Sequence, residues 1–160
     1  MVLTPVSGAD VEQLRSFLRD SDLTLAGLDD ESVRLWVERD ADGMVVGSTG
    51  YECSADGRDV LVRSVAVAAG RRSAGAGTRL ARFALDRAAD DGAERAWLFS
   101  RRSGPFWQGL GFVSAARQAL VAALPETQQV RLFLTTGQLD REVAWTRPLD
   151  RGLPGAPAQH

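Results

Sequence analysis

The chain has 160 residues, 44% of them hydrophobic and 25% charged, enough for one domain that buries about 70% of the surface its unfolded form exposes. Nineteen basic and 21 acidic side chains leave a net charge of −2, so no global field draws it to nucleic acid or anionic membrane, and no apolar run approaches the ~20 residues that span a bilayer. A single cysteine, Cys53, and a single histidine, His160, exclude an internal disulfide, a Ser-His-Asp or Cys-His nucleophile system and the usual Cys and His zinc site. Carboxylates, hydroxyls, water and backbone amides remain for chemistry, with no metal expected.

Met1-Val2-Leu3-Thr4-Pro5 carries neither the basic region nor the apolar stretch of a secretory signal, so a cytoplasmic protein is expected. Ser7 can cap a helix over 8–20, whose Val11, Leu14, Phe17 and Leu18 recur at helical spacing. Residues 23–30 read as a loop, with or without a short helix. Strands follow at 33–39 and 44–52, joined by the turn signal Asp42-Gly43 into an antiparallel hairpin. After a second turn at Asp56-Gly57, the β-branched run 60–67 reads as a central strand.

Residues 77–90 are helical in pattern, with Leu80, Phe83, Ala84 and Leu85 on one side and Asp91-Gly92 as the stop. A strand is expected at 96–100. Ser103-Gly104-Pro105 opens a short helix with Phe106, Trp107 and Leu110 on its apolar face, ended by Gly111. The remainder reads as a strand at 112–116, an insertion at 120–137 of undefined structure, and a last strand at 142–146. The domain is expected to span 1–149, with 150–160 as a mobile tail. A strand feeding a helix amid hairpins makes the class mixed α/β.

The stretch that carries chemistry is Val65-Ala66-Val67-Ala68-Ala69-Gly70-Arg71-Arg72-Ser73-Ala74-Gly75-Ala76-Gly77-Thr78: a strand, a small-residue loop and a helix start. Glycines at 75 and 77 let backbone amides approach phosphate oxygens, and the following helix adds the positive end of its dipole. Arg71, Arg72 and Arg79 supply local positive charge. The absence of Gly-Lys-Ser or Gly-Lys-Thr excludes a P-loop, and the preceding hairpin argues against a dinucleotide fingerprint in a parallel βαβ unit.

With Arg72-Ser73-Ala74-Gly75-Ala76-Gly77 directly after Val-Ala-Val, the sequence resembles the GNAT acetyltransferase superfamily, whose pyrophosphate motif is (Arg or Gln)-x-x-Gly-x-(Gly or Ala). Phe106-Trp107-Gln108-Gly109-Leu110-Gly111-Phe112 is similar to that family's later Phe-Tyr-x-x-x-Gly-Phe segment. A closer likeness, to arsenic-resistance-type N-acetyltransferases, rests on Gly50-Tyr51-Glu52 and Leu61-Val62-Arg63-Ser64-Val65-Ala66-Val67. It departs at 120–137, where the Cys-Pro pair of those relatives is missing.

The resemblance implies a mostly antiparallel sheet with a V-shaped splay, flanked by helices, and acetyl-CoA as cofactor. Val65, Ala66 and Val67 would hold the pantetheine arm, and Arg72, Ser73, Ala74, Gly75, Ala76, Gly77 and Thr78 the pyrophosphate, with Trp107 beside them. It implies direct attack by the amine of a small molecule such as an amino-acid analogue, assisted by a carboxylate. Glu52 is the first choice of base; pairing across the sheet with Arg63 is the competing role. Arg63 and Leu28 are candidates for the acceptor site, Arg63 for an acidic acceptor.

Trp107 stands where many relatives have tyrosine, and an indole N–H is no workable acid near neutral pH. A silent acyl-CoA-binding module therefore stays open; a protein lysine or N-terminal acetyltransferase and a homodimer stay open independently of that residue.

Overall fold

The computed structural model describes residues 2–21, 23–71 and 75–149. Its sheet has seven strands among the described residues. These are β1 (Leu3–Pro5), β2 (Val33–Arg39), β3 (Val45–Cys53), β4 (Asp59–Val67), β5 (Arg95–Phe99), β6 (Val113–Ala115) and β7 (Ala144–Pro148). The helices are α1 (Val11–Asp20), α2 (Ala76–Asp90), α3 (Gly104–Gly109), α4 (Arg117–Ala123) and α5 (Gln128–Thr136). Strand order is β1-β2-β3-β4-β5-β7-β6, antiparallel throughout except for the parallel β4–β5 pair.

The parallel pair is short. Only Asp59, Val60 and Leu61 meet Arg95, Ala96 and Trp97, after which β4 stays with β3 and β5 stays with β7. The sheet therefore opens between β4 and β5, which is the splay implied by the resemblance.

A bulge lies in β4 just past Leu61, its last residue paired with β5. The β3–β4 register runs from Gly50 opposite Arg63 to Ser48 opposite Ala66, so β4 carries one extra residue. Ser64 absorbs it with φ 61, the only positive φ at a non-glycine among the described residues, and Ser48 Oγ donates to its carbonyl at 2.6 Å. The bulge also resets which face each side chain meets. Val60, Val62 and Val65 pack with the α2 cluster, whereas Leu61 packs with α4 and α5 and Ala66 with α1.

Apolar alternation then builds the two layers. Trp36, Tyr51, Ala96 and Leu98 meet Ala81, Ala84, Leu85 and Ala88 of α2 on one face. Val33, Leu35 and Val37 meet Val11, Leu14 and Leu18 of α1 on the other, beside Leu61 and Trp97 against Leu120, Leu124 and Val130. No helix among the described residues is long and apolar enough to cross a membrane.

Several expectations needed correction. The edge strand β1 was not foreseen: three residues ending in proline give no readable alternation. The helix expected over 8–20 begins as a 3-10 turn, Gly8–Asp10, with Ser7 N–H and Oγ both donating to Asp10. The strand expected over 112–116 is confined to Val113–Ala115, since Phe112 is drawn into the core with Trp107. The insertion is two helices. The last strand runs over 144–148, not 142–146, because Arg95 to Phe99 of β5 pair with Pro148 to Ala144. Residues 150–160, expected as a tail, lie outside the described residues.

Tyr51, the one tyrosine, gives this packing a spectroscopic handle. Burial pushes its hydroxyl well above the usual range, assisted by the bond it donates to Asp91 and by that carboxylate's charge. A raised folded pKa means the native state holds the proton more tightly than the unfolded chain. Stability is thus lost as pH rises beyond the ordinary tyrosine value of about 10. Absorbance near 295 nm should show no tyrosinate at about pH 10 while the protein stays folded; a normal titration of the native protein would contradict this packing.

Candidate active site

A cleft of ≈ 550 Å³ lies where β4 and β5 part. Val65, Ala66 and Val67 line one side, and Phe99 and Ser100 the end of β5. Gly77 of α2 and Phe106 and Trp107 of α3 border it near the helix N-terminus. The remaining wall includes Thr24, Arg101, Gln129, Phe133, Gln138 and Glu142.

The corner leading into α2 is Gly75, with φ +89 and no heavy atom within 4 Å of where a Cβ would stand. Glycine holds that left-handed conformation without strain, letting the chain turn straight into the 15-residue helix. No acidic residue occupies the first turn of α2, so its amides and dipole face an anion without competition. A Cβ at Gly77 would meet the Phe106 ring at 3.5 Å, an ordinary van der Waals contact, so space alone does not demand glycine there. Arg71 and Arg79 stand near Asp40 and Glu38, at 3.9 and 3.7 Å. Arg72, Ser73 and Ala74 of the expected phosphate loop lie outside the described residues. The described part of the cradle suits a pyrophosphate.

Trp107 is buried between Phe106 and Phe112, with edge-to-face ring distances of 4.9 and 5.4 Å. It lines the cleft as well as the core, and so does Phe106, for which a core role was expected. Val65 to Val67, Gly77 and Trp107 are thus brought together at one cleft.

The residues expected to perform chemistry and hold the acceptor are placed elsewhere. Glu52 is fully buried and does not line the cleft. Its carboxylate accepts from Arg63 Nη1 at 3.0 Å, Gln128 N at 2.6 Å and Gln129 N at 3.2 Å. With both oxygens engaged and the side chain fully buried, it is turned away from the cleft; the observed geometry is the pairing with Arg63 weighed as its competing role. The amides it receives open α5, so Glu52 caps that helix from the sheet.

Arg63 is equally buried. Burial lowers its pKa and Glu52 pulls it back, while Nη2 donates to Thr24 O and Nε to Ser64 Oγ, both at 3.2 Å. That guanidinium is occupied, which removes the argument for an acidic acceptor at Arg63. Leu28 belongs to the α1 core cluster and faces no cleft.

Sequence reasoning missed Thr24, Gln129, Gln138 and Glu142. Glu142 is the carboxylate of the cleft, mostly buried just before β7. Gln138 Nε2 donates to its Oε2 at 2.8 Å and Arg101 Nε lies 3.4 Å from the same oxygen. Oε1 has no partner among the described residues. The available signal for Glu142 was weak, a lone carboxylate at the presumed start of a strand.

A glycine-cornered helix start beside a parted strand pair is an arrangement suited to a protein that takes a phosphate-bearing donor. The match of the acetyltransferase (GNAT) family model to residues 8–112 identifies it: the chain belongs to that family, and is an acyltransferase by class. No curated protein sequence matches the chain significantly.

Among solved structures, it is similar to GCN5 from Tetrahymena, with TM-score 0.72 and 13% identity, covering 96% of this chain and 99% of that one. A GNAT-family acetyltransferase from Staphylococcus aureus Mu50 gives 0.67 and 13%, covering 93% and 100%. N-acetylglutamate synthase from Neisseria gonorrhoeae, complexed with coenzyme A and N-acetyl-glutamate, gives 0.66 and 18%, covering 94% of this chain but only 36% of that longer one. At these identities the likeness is one of fold.

Proposed function

We propose that the protein transfers the acetyl group of acetyl-CoA to the amine of a small molecule by direct attack. The observation that carries this reading is the cleft: Gly77, next to the phosphate-fitting corner at Gly75, borders one side, and Glu142, a buried carboxylate with one oxygen unpartnered among the described residues, lies on its wall. When bound, the thioester supplies the activated acyl group. The N-terminal amides of α2 and Gly75 bind the pyrophosphate, and the backbone of Val65 to Val67 holds the pantetheine arm.

Glu142 Oε1 takes the proton that the amine must lose, directly or through one water, while Gln138 and Arg101 hold Oε2. This places the base on Glu142 in preference to Glu52, whose oxygens already serve Arg63 and α5. Trp107 excludes water and supplies no proton. The thiolate leaves without a side-chain acid, which its low basicity allows.

A small acceptor is favoured because loop 23–30 and the start of α5 wall the cleft through Thr24 and Gln129. The likeness of Gly50-Tyr51-Glu52 and residues 61–67 to arsenic-resistance-type enzymes points to an amino-acid analogue. We place the enzyme in the cytoplasm. The indole at 107 also favours a second reading, an acyl-CoA-binding module without turnover.

A free-thiol assay with acetyl-CoA across a panel of amines and amino-acid analogues separates the two. Amine-dependent thiol release is expected. Tight coenzyme A binding with no release from any amine would favour the module.

A further inference from the structure

The buried pair of Glu52 and Arg63 is the meeting point of two chain segments that belong to no strand. Loop 23–30 reaches it through Thr24, whose carbonyl accepts from Arg63 Nη2. Helix α5 reaches it through its first two amides, both donated to Glu52. The two segments are then tied to each other. Gln129 Nε2 donates to Thr24 Oγ1 and Gln128 Nε2 to Asp30 Oδ2, each at 2.8 Å. Gly27, at φ +72, comes so close that a Cβ would stand 2.5 Å from Gln128 Cγ.

Two members of this knot, Thr24 and Gln129, are cleft-wall residues. The side chain of Gln129 is anchored by its nitrogen alone: its buried Oε1 lacks a hydrogen-bond partner among the described residues, an arrangement that persists only where the surroundings fix the amide in place. An ion pair in the interior is poor evidence of stability but a means of fixing register. Here it fixes the position of a wall.

We propose that Glu52 and Arg63 are positioning residues that set the acceptor wall, holding Thr24 and Gln129 at a fixed distance from β4 and thereby determining which amines fit. The wall's use for an acceptor rests on the acetyltransferase reading; the pinning of the two segments does not.

Hydrogen exchange on the full chain tests the pin, comparing wild type with Glu52→Gln and with the milder Thr24→Val, which removes the hydroxyl accepting from Gln129. Both variants should speed exchange in 23–30 and in the first turns of α5, about tenfold or more for Glu52→Gln, with α2 unchanged. Coenzyme A affinity by calorimetry should stay within about twofold, because the cradle is untouched.

With the amine giving the highest thiol release as probe, Glu52→Gln should raise KM about tenfold and leave the pH dependence of kcat in place. Unchanged exchange in both segments would overturn the pin. A kcat loss with flattened pH profile and unchanged KM would overturn the positioning role and return Glu52 to catalysis. If no amine is turned over by the wild type, the acetyltransferase reading fails while exchange still decides the pin.

Discussion

Replacing Glu142 by glutamine will slow acetyl transfer about 100-fold near neutral pH, the lower end of what a positioned base contributes. Glutamine keeps the length of the side chain and one acceptor oxygen, so the cleft wall and the acceptor KM should change little. What it cannot do is take a proton. The amine then depends on its own dissociation, so the deficit should shrink as pH rises toward the amine's pKa, about 10 for a lysine-like amine and near 8 for an α-amino group. Loss of the charge beside Arg101 is a small effect, since that arginine is 44% exposed. Rates measured from pH 6 to 10 (roughly the span from imidazole-like to lysine-like groups) give the answer. Unchanged kcat at neutral pH would remove Glu142 from the proton path.

Gly75→Asp will weaken coenzyme A binding about 100-fold without unfolding the protein. Aspartate tolerates the left-handed region better than most side chains and is a favourable residue before a helix, so α2 should keep its start. Its carboxylate, however, competes for the amides meant for phosphate and repels the pyrophosphate. Loss of one or two charge-assisted bonds is worth about 3 kcal/mol, hence the two decades. Gly75→Ala separates charge from strain: its Cβ meets no heavy atom within 4 Å, so only the backbone cost at φ +89 remains and affinity should fall far less. Calorimetric titration of both variants, with thermal midpoints as control, decides. Equal affinities for Gly75→Asp and wild type would place the phosphates elsewhere.

How much of this could be read from the sequence depends on how local each determinant is. The strand at 33–39 agreed with β2 residue for residue, because its alternation and flanking turn signals lie within the segment. The corner at Gly75 was equally legible, since glycine spacing and the following helix are neighbours in the chain. The bulge at Ser64 was not. Nothing in Arg63-Ser64-Val65 marks a positive φ in a serine, yet it decides which residues of β4 face which layer.

Helix α5 shows the same limit. Thr127 ahead of Val130 and Phe133, with Gly137 beyond, were readable start and stop signals, but the group that satisfies its first amides is Glu52, 76 residues earlier than Gln128. A carboxylate on a strand end next to the donor site resembles a base in sequence. Its three partners become visible only when loop 23–30 and α5 are folded over it. Glu142 illustrates the converse: it gains meaning from its place at the cleft, which strand pairing of β5 with β7 creates.

The central claim is direct transfer from acetyl-CoA to an amine. Its most direct test counts free thiol and weighs the intact protein after incubation with acetyl-CoA, with and without the amine favoured in the panel. The expected result is thiol release only when amine is present, one N-acetylated amine per thiol, and an unmodified protein mass throughout. Thiol release without amine accompanied by a protein one acetyl group heavier, or no thiol release despite tight coenzyme A binding, would contradict it.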